Sequence, residues 1–202
     1  MGRKVILSAD STCDLGEELK KQCGVEYYPL HIILEDRDYL DNVTITPEVL
    51  YEAYRERKVL PKTAAVNAAE YMEYFSGWVE QGYDVVHINL GGALSSSYQN
   101  CCLAAEELGH VYPVDSCNLS TGTGHLVLDA AEMIRQGMEA REIQQALNER
   151  KRFCHASFIL DTLKFMAAGG RCSAVTAFGA NLLNLKPCIE VDNSSGAMGV
   201  GK

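Results

Sequence analysis

The residues most able to do chemistry by type and spacing lie in Gly91-Gly92-Ala93-Leu94-Ser95-Ser96-Ser97. Two glycines permit a tight strand-to-helix turn. Three successive hydroxyls then stand where the free N–H groups and dipole of a helix start attract an anion. A carboxylate or a phosphate suits such a loop. A plain helix cap, with one Ser accepting a backbone N–H, uses the same residues, and the local sequence leaves both readings open. Asp10-Ser11-Thr12 and Asp115-Ser116 each follow an apolar run in the same way. Thr63 sits in Pro61-Lys62-Thr63-Ala64-Ala65-Val66-Asn67, read as a loop entering a helix, either as a further hydroxyl donor or as a solvated loop residue.

The same residues exclude several chemistries. The loop at Gly91 lacks the Gly-Lys-Ser/Thr ending of a Walker loop and the Gly-x-Gly-x-x-Gly of a dinucleotide fold, which argues against nucleotide binding. Ser95 as a nucleophile for acyl transfer or ester hydrolysis is the alternative function, but the Gly-x-Ser-x-Gly elbow is absent, with Ala93 and Ser97 at the glycine positions. His87, inside an apolar strand, reads as a core residue rather than a general base. The eight Cys have no Cys-x-x-Cys pair, and adjacent Cys101 and Cys102 diverge by about 100° on a helix, so neither zinc nor any other metal is expected.

Positioning these loops requires alternating strands and helices. Arg3 to Ala9 reads as a buried strand, with Asp14-Leu15-Gly16-Glu17 as a capping box opening a helix to Cys23. Val25 to Leu34 reads as one strand ending in the charged turn Glu35 to Asp38. Thr46-Pro47-Glu48 starts a helix, and Asn67 with Glu70 caps another whose Tyr71, Phe75 and Trp78 recur at helical spacing. That stripe and Phe178/Leu182/Leu183 line either core or an apolar channel. Tyr83 to Leu90 and His110 to Val114 read as strands, each followed by a helix. The alternation predicts an α/β fold: a mostly parallel sheet with helices on both faces, over residues 1–153. Ligands in such sheets bind beyond the carboxyl ends of the strands, where Asp10, Ser11, Gly91, Gly92, Ser95, Ser96, Asp115 and Ser116 would share one cleft. Residues 154–202 read as the start of a second, α+β domain, its closing hairpin cut off almost at once.

The 202 residues carry 18 Lys and Arg against 27 Asp and Glu, a formal charge of −9, which opposes nucleic-acid binding and attraction to anionic membranes. With 47% hydrophobic and 22% charged residues the chain has globular composition. No apolar run reaches membrane-spanning length and no signal-peptide core follows Met1, so a cytoplasmic protein with reduced thiols and no stable membrane insertion is expected.

Taken in order, six segments resemble the DegV family of bacterial fatty-acid-binding proteins. They are Ser8 to Leu15, Lys62-Thr63, Leu94 to Gln99, Val114-Asp115-Ser116, Leu160 to Phe165 with Gly169-Gly170-Arg171, and Leu185-Lys186-Pro187. The resemblance implies two domains with an acyl chain between them, its carboxylate held by a Thr and a Ser, here Thr63 and Ser95. It also implies a long-chain fatty acid as ligand, no cofactor, and a separate ATP-dependent fatty acid kinase that makes the acyl phosphate. Arg171 matches the family's Gly-Gly-Arg motif near the ligand mouth. The loops depart from the family's usual Thr-Ser-Gln-Pro-Ser and Ser-Gly-Leu-Ser-Gly-Thr, reading Thr63-Ala64-Ala65-Val66-Asn67 and Gly92-Ala93-Leu94-Ser95-Ser96-Ser97. The resemblance also implies a carboxylate-contacting His in the C-terminal portion, which nothing in residues 1–202 matches.

Overall fold

In the computed structural model, which describes residues 2–171 and 186–201, a four-stranded sheet organises the chain. Its strands are β1 (Val5–Asp10), β2 (Glu26–Tyr28), β6 (Asp84–Asn89) and β7 (Val111–Asp115). They run parallel in the order β2-β1-β6-β7. Successive side chains on a strand point to opposite faces, and the composition follows that period. Leu7, Ala9, Val86, Ile88 and Val114 face one cluster with Leu126, Val127, Ala130, Ile143 and Leu147. The last five belong to α5 (Ser120–Arg135) and α6 (Ala140–Arg150). On the opposite face Ile6, Val85 and Val111 meet Tyr71, Phe75, Cys101 and Ala104 of α3 (Ala68–Glu80) and α4 (Ser97–Leu108). Helices therefore cover both faces of a parallel sheet, as the alternation predicted.

Local capping explains two of the helices. Asn67 accepts the Glu70 N–H at 3.0 Å while the Glu70 carboxylate accepts the Asn67 N–H at 2.8 Å, a reciprocal box starting α3. Thr46 precedes α2 (Pro47–Arg57), where Pro47 fits the first turn because its missing N–H would have no partner there.

Four details differ from the sequence reading. The run from Val25 to Leu34 is two strands: β2 in the main sheet, and β3 (His31–Leu34) in a separate antiparallel sheet. Pro29 cannot donate, and the Leu30 N–H goes to the Ser11 hydroxyl at 3.2 Å, which draws the chain out of the first sheet. The charged turn is only Glu35-Asp36, both at positive φ (49° and 64°) as a two-residue hairpin needs, so β4 (Arg37–Leu40) follows at once. Thr63 is not in a loop: β5 (Lys62–Ala64) pairs with β3, placing Thr63 opposite Ile32. Asp14 does not cap the first helix. It adopts a left-handed φ of 49° after a 3-10 turn at Ser11–Cys13, and Gly16 precedes α1 (Glu17–Cys23).

After Phe153 come β8 (Ala156–Ile159), the short α7 (Lys164–Gly169), and the hairpin β9 (Cys188–Val191) and β10 (Met198–Val200). These strands form an antiparallel sheet ordered β10-β9-β8 around Ile189. The predicted stripe Phe178/Leu182/Leu183 and Leu185 lie outside the described residues. No helix among the described residues is long and apolar enough to cross a membrane.

Candidate functional site

Strands β1, β6 and β7 are neighbours, so the loops at their carboxyl ends meet on one side of the sheet, joined there by β5. A cavity of about 440 Å³ opens between these loops and the C-terminal elements. Thr63, Ser95, Ser96 and Arg171 line it together with Thr12, Asp14 and Ser120. Its apolar wall is Leu30, Leu90, Leu94, Leu119 and Met198, with Ala64 and Ala65. The volume lies within the range of small-molecule sites, and a few polar groups against an apolar wall fix the orientation of a ligand.

Asp10, Ser11, Gly91, Gly92, Asp115 and Ser116 do not line this cavity; they build it. The Asp10 carboxylate is fully buried and accepts the Leu90 N–H at 2.8 Å, fastening β1 to the loop after β6. Ser11 donates to Asp41 at 2.7 Å while accepting the Leu30 N–H. A Cβ on Gly91 would stand 3.0 Å from the Asn118 backbone, so only glycine lets the β6 and β7 loops pack this closely. Asp115 accepts the N–H groups of Gly92 and Cys117, both at 2.9 Å. Ser116 donates to the Asn118 carbonyl and accepts the hydroxyl of Thr123. Residues that looked equivalent in sequence thus divide into lining and scaffold according to which way each side chain points.

Ser95 is held from within its own loop. Its Oγ lies 2.9 Å from the Ser97 Oγ and accepts the Ser97 N–H at 3.2 Å. The capping role at α4 therefore falls on Ser95 while it also faces the cavity. The histidines pair elsewhere: His31 with Asp38 and Glu70, His110 with Asp84, and His87, fully buried, with Ser8 and Asp10. His125 and His155 line a different cleft. Tyr71 and Phe75 are core residues and Trp78 packs partly buried against them.

Two cavity residues escaped the sequence reading. Asp14 stands at the rim, and its carboxyl is pushed above the usual carboxylate range by partial burial, opposed by a hydrogen bond from Ser120. The only signal in the sequence was a turn-forming Asp after a strand end. Ser120 opens α5 with nothing in its local sequence to mark it. Arg171 follows Gly170, which takes a left-handed φ of 70°, and its guanidinium donates to the Gly169 carbonyl at 2.6 Å, closing the end of α7. Asp161 is paired with Lys186 rather than Arg171. Among the described residues no group of His, Cys, Asp or Glu could hold a metal ion.

A parallel α/β sheet whose carboxyl-end loops enclose a hydroxyl- and leucine-lined cavity defines an α/β protein with its cavity where such folds place their ligands. Residues 4–200 match the family model described as "Uncharacterised protein, DegV family", and the chain belongs to that family. A DegV domain-containing protein of Clostridium perfringens is 32% identical over 201 residues, covering 95% of this chain and 68% of the relative. Among solved structures, a DegV family protein from Thermus thermophilus, described as fatty acid binding, is 32% identical with a TM-score of 0.87, covering 98% of this chain and 71% of that one. A stearic acid-binding protein from Eubacterium ventriosum is 25% identical with a TM-score of 0.85, covering 100% of this chain and 70% of that one.

Proposed function

We propose that this chain binds a long-chain fatty acid, with the hydroxyls of Thr63 and Ser95 donating to its carboxylate and the tail lying against the leucine wall. The observation that carries this reading is that two hydroxyls 32 residues apart in sequence, on different elements, face one cavity whose remaining wall is largely apolar. Fatty acid binding by the Thermus thermophilus and Eubacterium ventriosum proteins supports it. Each buried methylene contributes about 0.8 kcal/mol, so the tail sets affinity while the hydroxyls set orientation. Residues 154–201, which contribute Arg171 and Met198 to the wall, act as the near part of a second, α+β domain. In the cytoplasm the bound acid is presented to a separate ATP-dependent fatty acid kinase, and this chain performs no catalysis of its own.

Native mass spectrometry of the protein purified from bacteria tests the reading: a retained mass matching a long-chain fatty acid is expected. Replacing both hydroxyls, in Thr63→Val with Ser95→Ala, removes two hydrogen bonds to a charged acceptor at about 1.5 kcal/mol or more each, a loss in affinity of roughly a hundredfold. Unchanged displacement of a fluorescent fatty acid, with matching circular dichroism, would reject these residues. A covalent adduct of Ser95 with a serine-reactive phosphonate would favour the nucleophile instead.

A further inference from the structure

Behind Ser95 runs a chain of hydrogen bonds that no ligand contact requires. Ser97 is fully buried at the start of α4 and does not line the cavity, yet its Oγ is 2.9 Å from that of Ser95. The same oxygen accepts the Val66 N–H at 3.3 Å. Tyr71, also fully buried, spends its hydroxyl elsewhere, donating to Asp10 at 2.9 Å and accepting from Asn89 at 3.1 Å.

Counting protons along this chain gives it a direction. A serine hydroxyl has one proton and two lone pairs. The Val66 N–H fills one lone pair of Ser97. If Ser95 donates to Ser97, both Ser97 lone pairs are filled, its own buried proton is left unspent, and Ser95 offers the cavity only a lone pair. If Ser97 donates to Ser95, both Ser95 lone pairs are filled, one by the Ser97 N–H and one by its hydroxyl, and the Ser95 proton projects into the cavity. A carboxylate can use only the second arrangement, because it has no proton to give. Donation from Ser97 also polarises the Ser95 O–H and strengthens the charge-assisted bond it makes.

We infer that Ser97 is a positioning residue that turns the Ser95 hydroxyl proton toward an anionic headgroup. The inference rests on the reading of Ser95 as a carboxylate donor, and concerns how that donor is set.

The test compares oleate and oleyl alcohol, which share a tail and differ in headgroup charge, on the full chain and its variants. Ser97→Ala is expected to weaken oleate binding about three- to tenfold while changing oleyl alcohol by less than about twofold, since only the charged acceptor depends on the polarised donor. Ser97→Thr keeps the hydroxyl and is expected to restore oleate binding. Oleate and alcohol weakened alike by Ser97→Ala, or oleate binding not restored by Ser97→Thr, would overturn the inference in favour of a structural role. Ser95→Ala in the same assay separates the levels. If it weakens oleate and Ser97→Ala does not, the positioning role alone fails. If it leaves oleate unchanged, the headgroup site itself is wrong and the positioning role falls with it.

Discussion

Gly124 couples the stability of the fold to the shape of the cavity, and Gly124→Ala exposes that coupling. The residue is buried in α5, where alanine would ordinarily stabilise a helix by about 1 kcal/mol. A Cβ built there lies 2.8 Å from the carbonyl oxygen of Cys13 and 3.1 Å from a methyl of Leu15. Carbon seldom approaches a carbonyl oxygen closer than about 3.3 Å, so one of the two must retreat by about half an ångström. The leucine methyl can turn away, but the carbonyl belongs to backbone between Thr12 and Asp14, and both of those line the cavity. Overpacking of this kind costs about 1–3 kcal/mol, which exceeds the gain in helix propensity and leaves a net loss of about 1 kcal/mol. For a chain of this length that lowers Tm by about 2–4 °C. Gly77→Ala is the internal control: the residue is exposed on α3 with nothing within 4 Å of the new Cβ, so the propensity gain stands alone and Tm rises. Differential scanning calorimetry of both variants, with fatty-acid displacement run beside it, is the assay. Gly124→Ala melting at or above the parent temperature, with unaltered ligand affinity, would refute the close approach on which the reasoning depends.

Partial burial raises the Asp14 carboxyl above 3.8, so the folded chain holds this proton more tightly than the unfolded chain does. Stability from that difference is present below the unfolded value and is lost as pH rises through the folded one. Asp14→Asn, which also tolerates the left-handed backbone, is therefore expected to raise the urea midpoint at about pH 7 and to match the parent near about pH 3, a small effect because Asp14 is open to solvent on one side; equal midpoints at both would refute it. Arg171→Ala is expected to reduce acyl-phosphate formation by a partner kinase more than it reduces fatty-acid retention, because among the described residues no carboxylate pairs with its guanidinium; equal turnover in a reconstituted assay would return it to a helix-end role. Burial pushes the thiols of Cys13 and Cys101 up, and both side chains are inaccessible, so mass spectrometry after iodoacetamide treatment should find them unmodified in the folded protein and alkylated in urea.

Signals that act within one turn of chain were legible in the sequence. Asn67 and Glu70 close their box three residues apart, Pro47 fits the first turn of α2 whatever surrounds it, and the hairpin around Asp192 to Gly196 is read from its own turn residues. The parallel sheet was legible too, because its strands are short buried runs separated by amphipathic helices. The site was legible only in outline. Thr63 and Ser95 were candidates from their own loops, but their local sequence gave no means of separating a ligand donor from a solvated hydroxyl or a helix cap, and only resemblance to a family singled them out as a carboxylate pair.

Tertiary structure decided the rest, for reasons of range. Thr63 lies in a strand only because β3 pairs with it, and Ile32 opposite it is 31 residues away. β2 and β3 separate because Ser11, 19 residues before Leu30, takes that residue's N–H. Asp10, Ser95 and Asp115 look alike as polar residues at strand ends. One becomes a buried anchor, one a cavity donor and one a loop brace, since the carboxyl-end loops of three adjacent strands leave only a few side chains room to face inward. The bond from Tyr71 to Asp10 joins residues 61 apart along the chain, and the Val66 N–H reaches Ser97 across 31. Residue type and spacing determine which elements form, because those forces are local; which hydroxyl faces the cavity is set by contacts that exist only once the sheet has brought distant segments together.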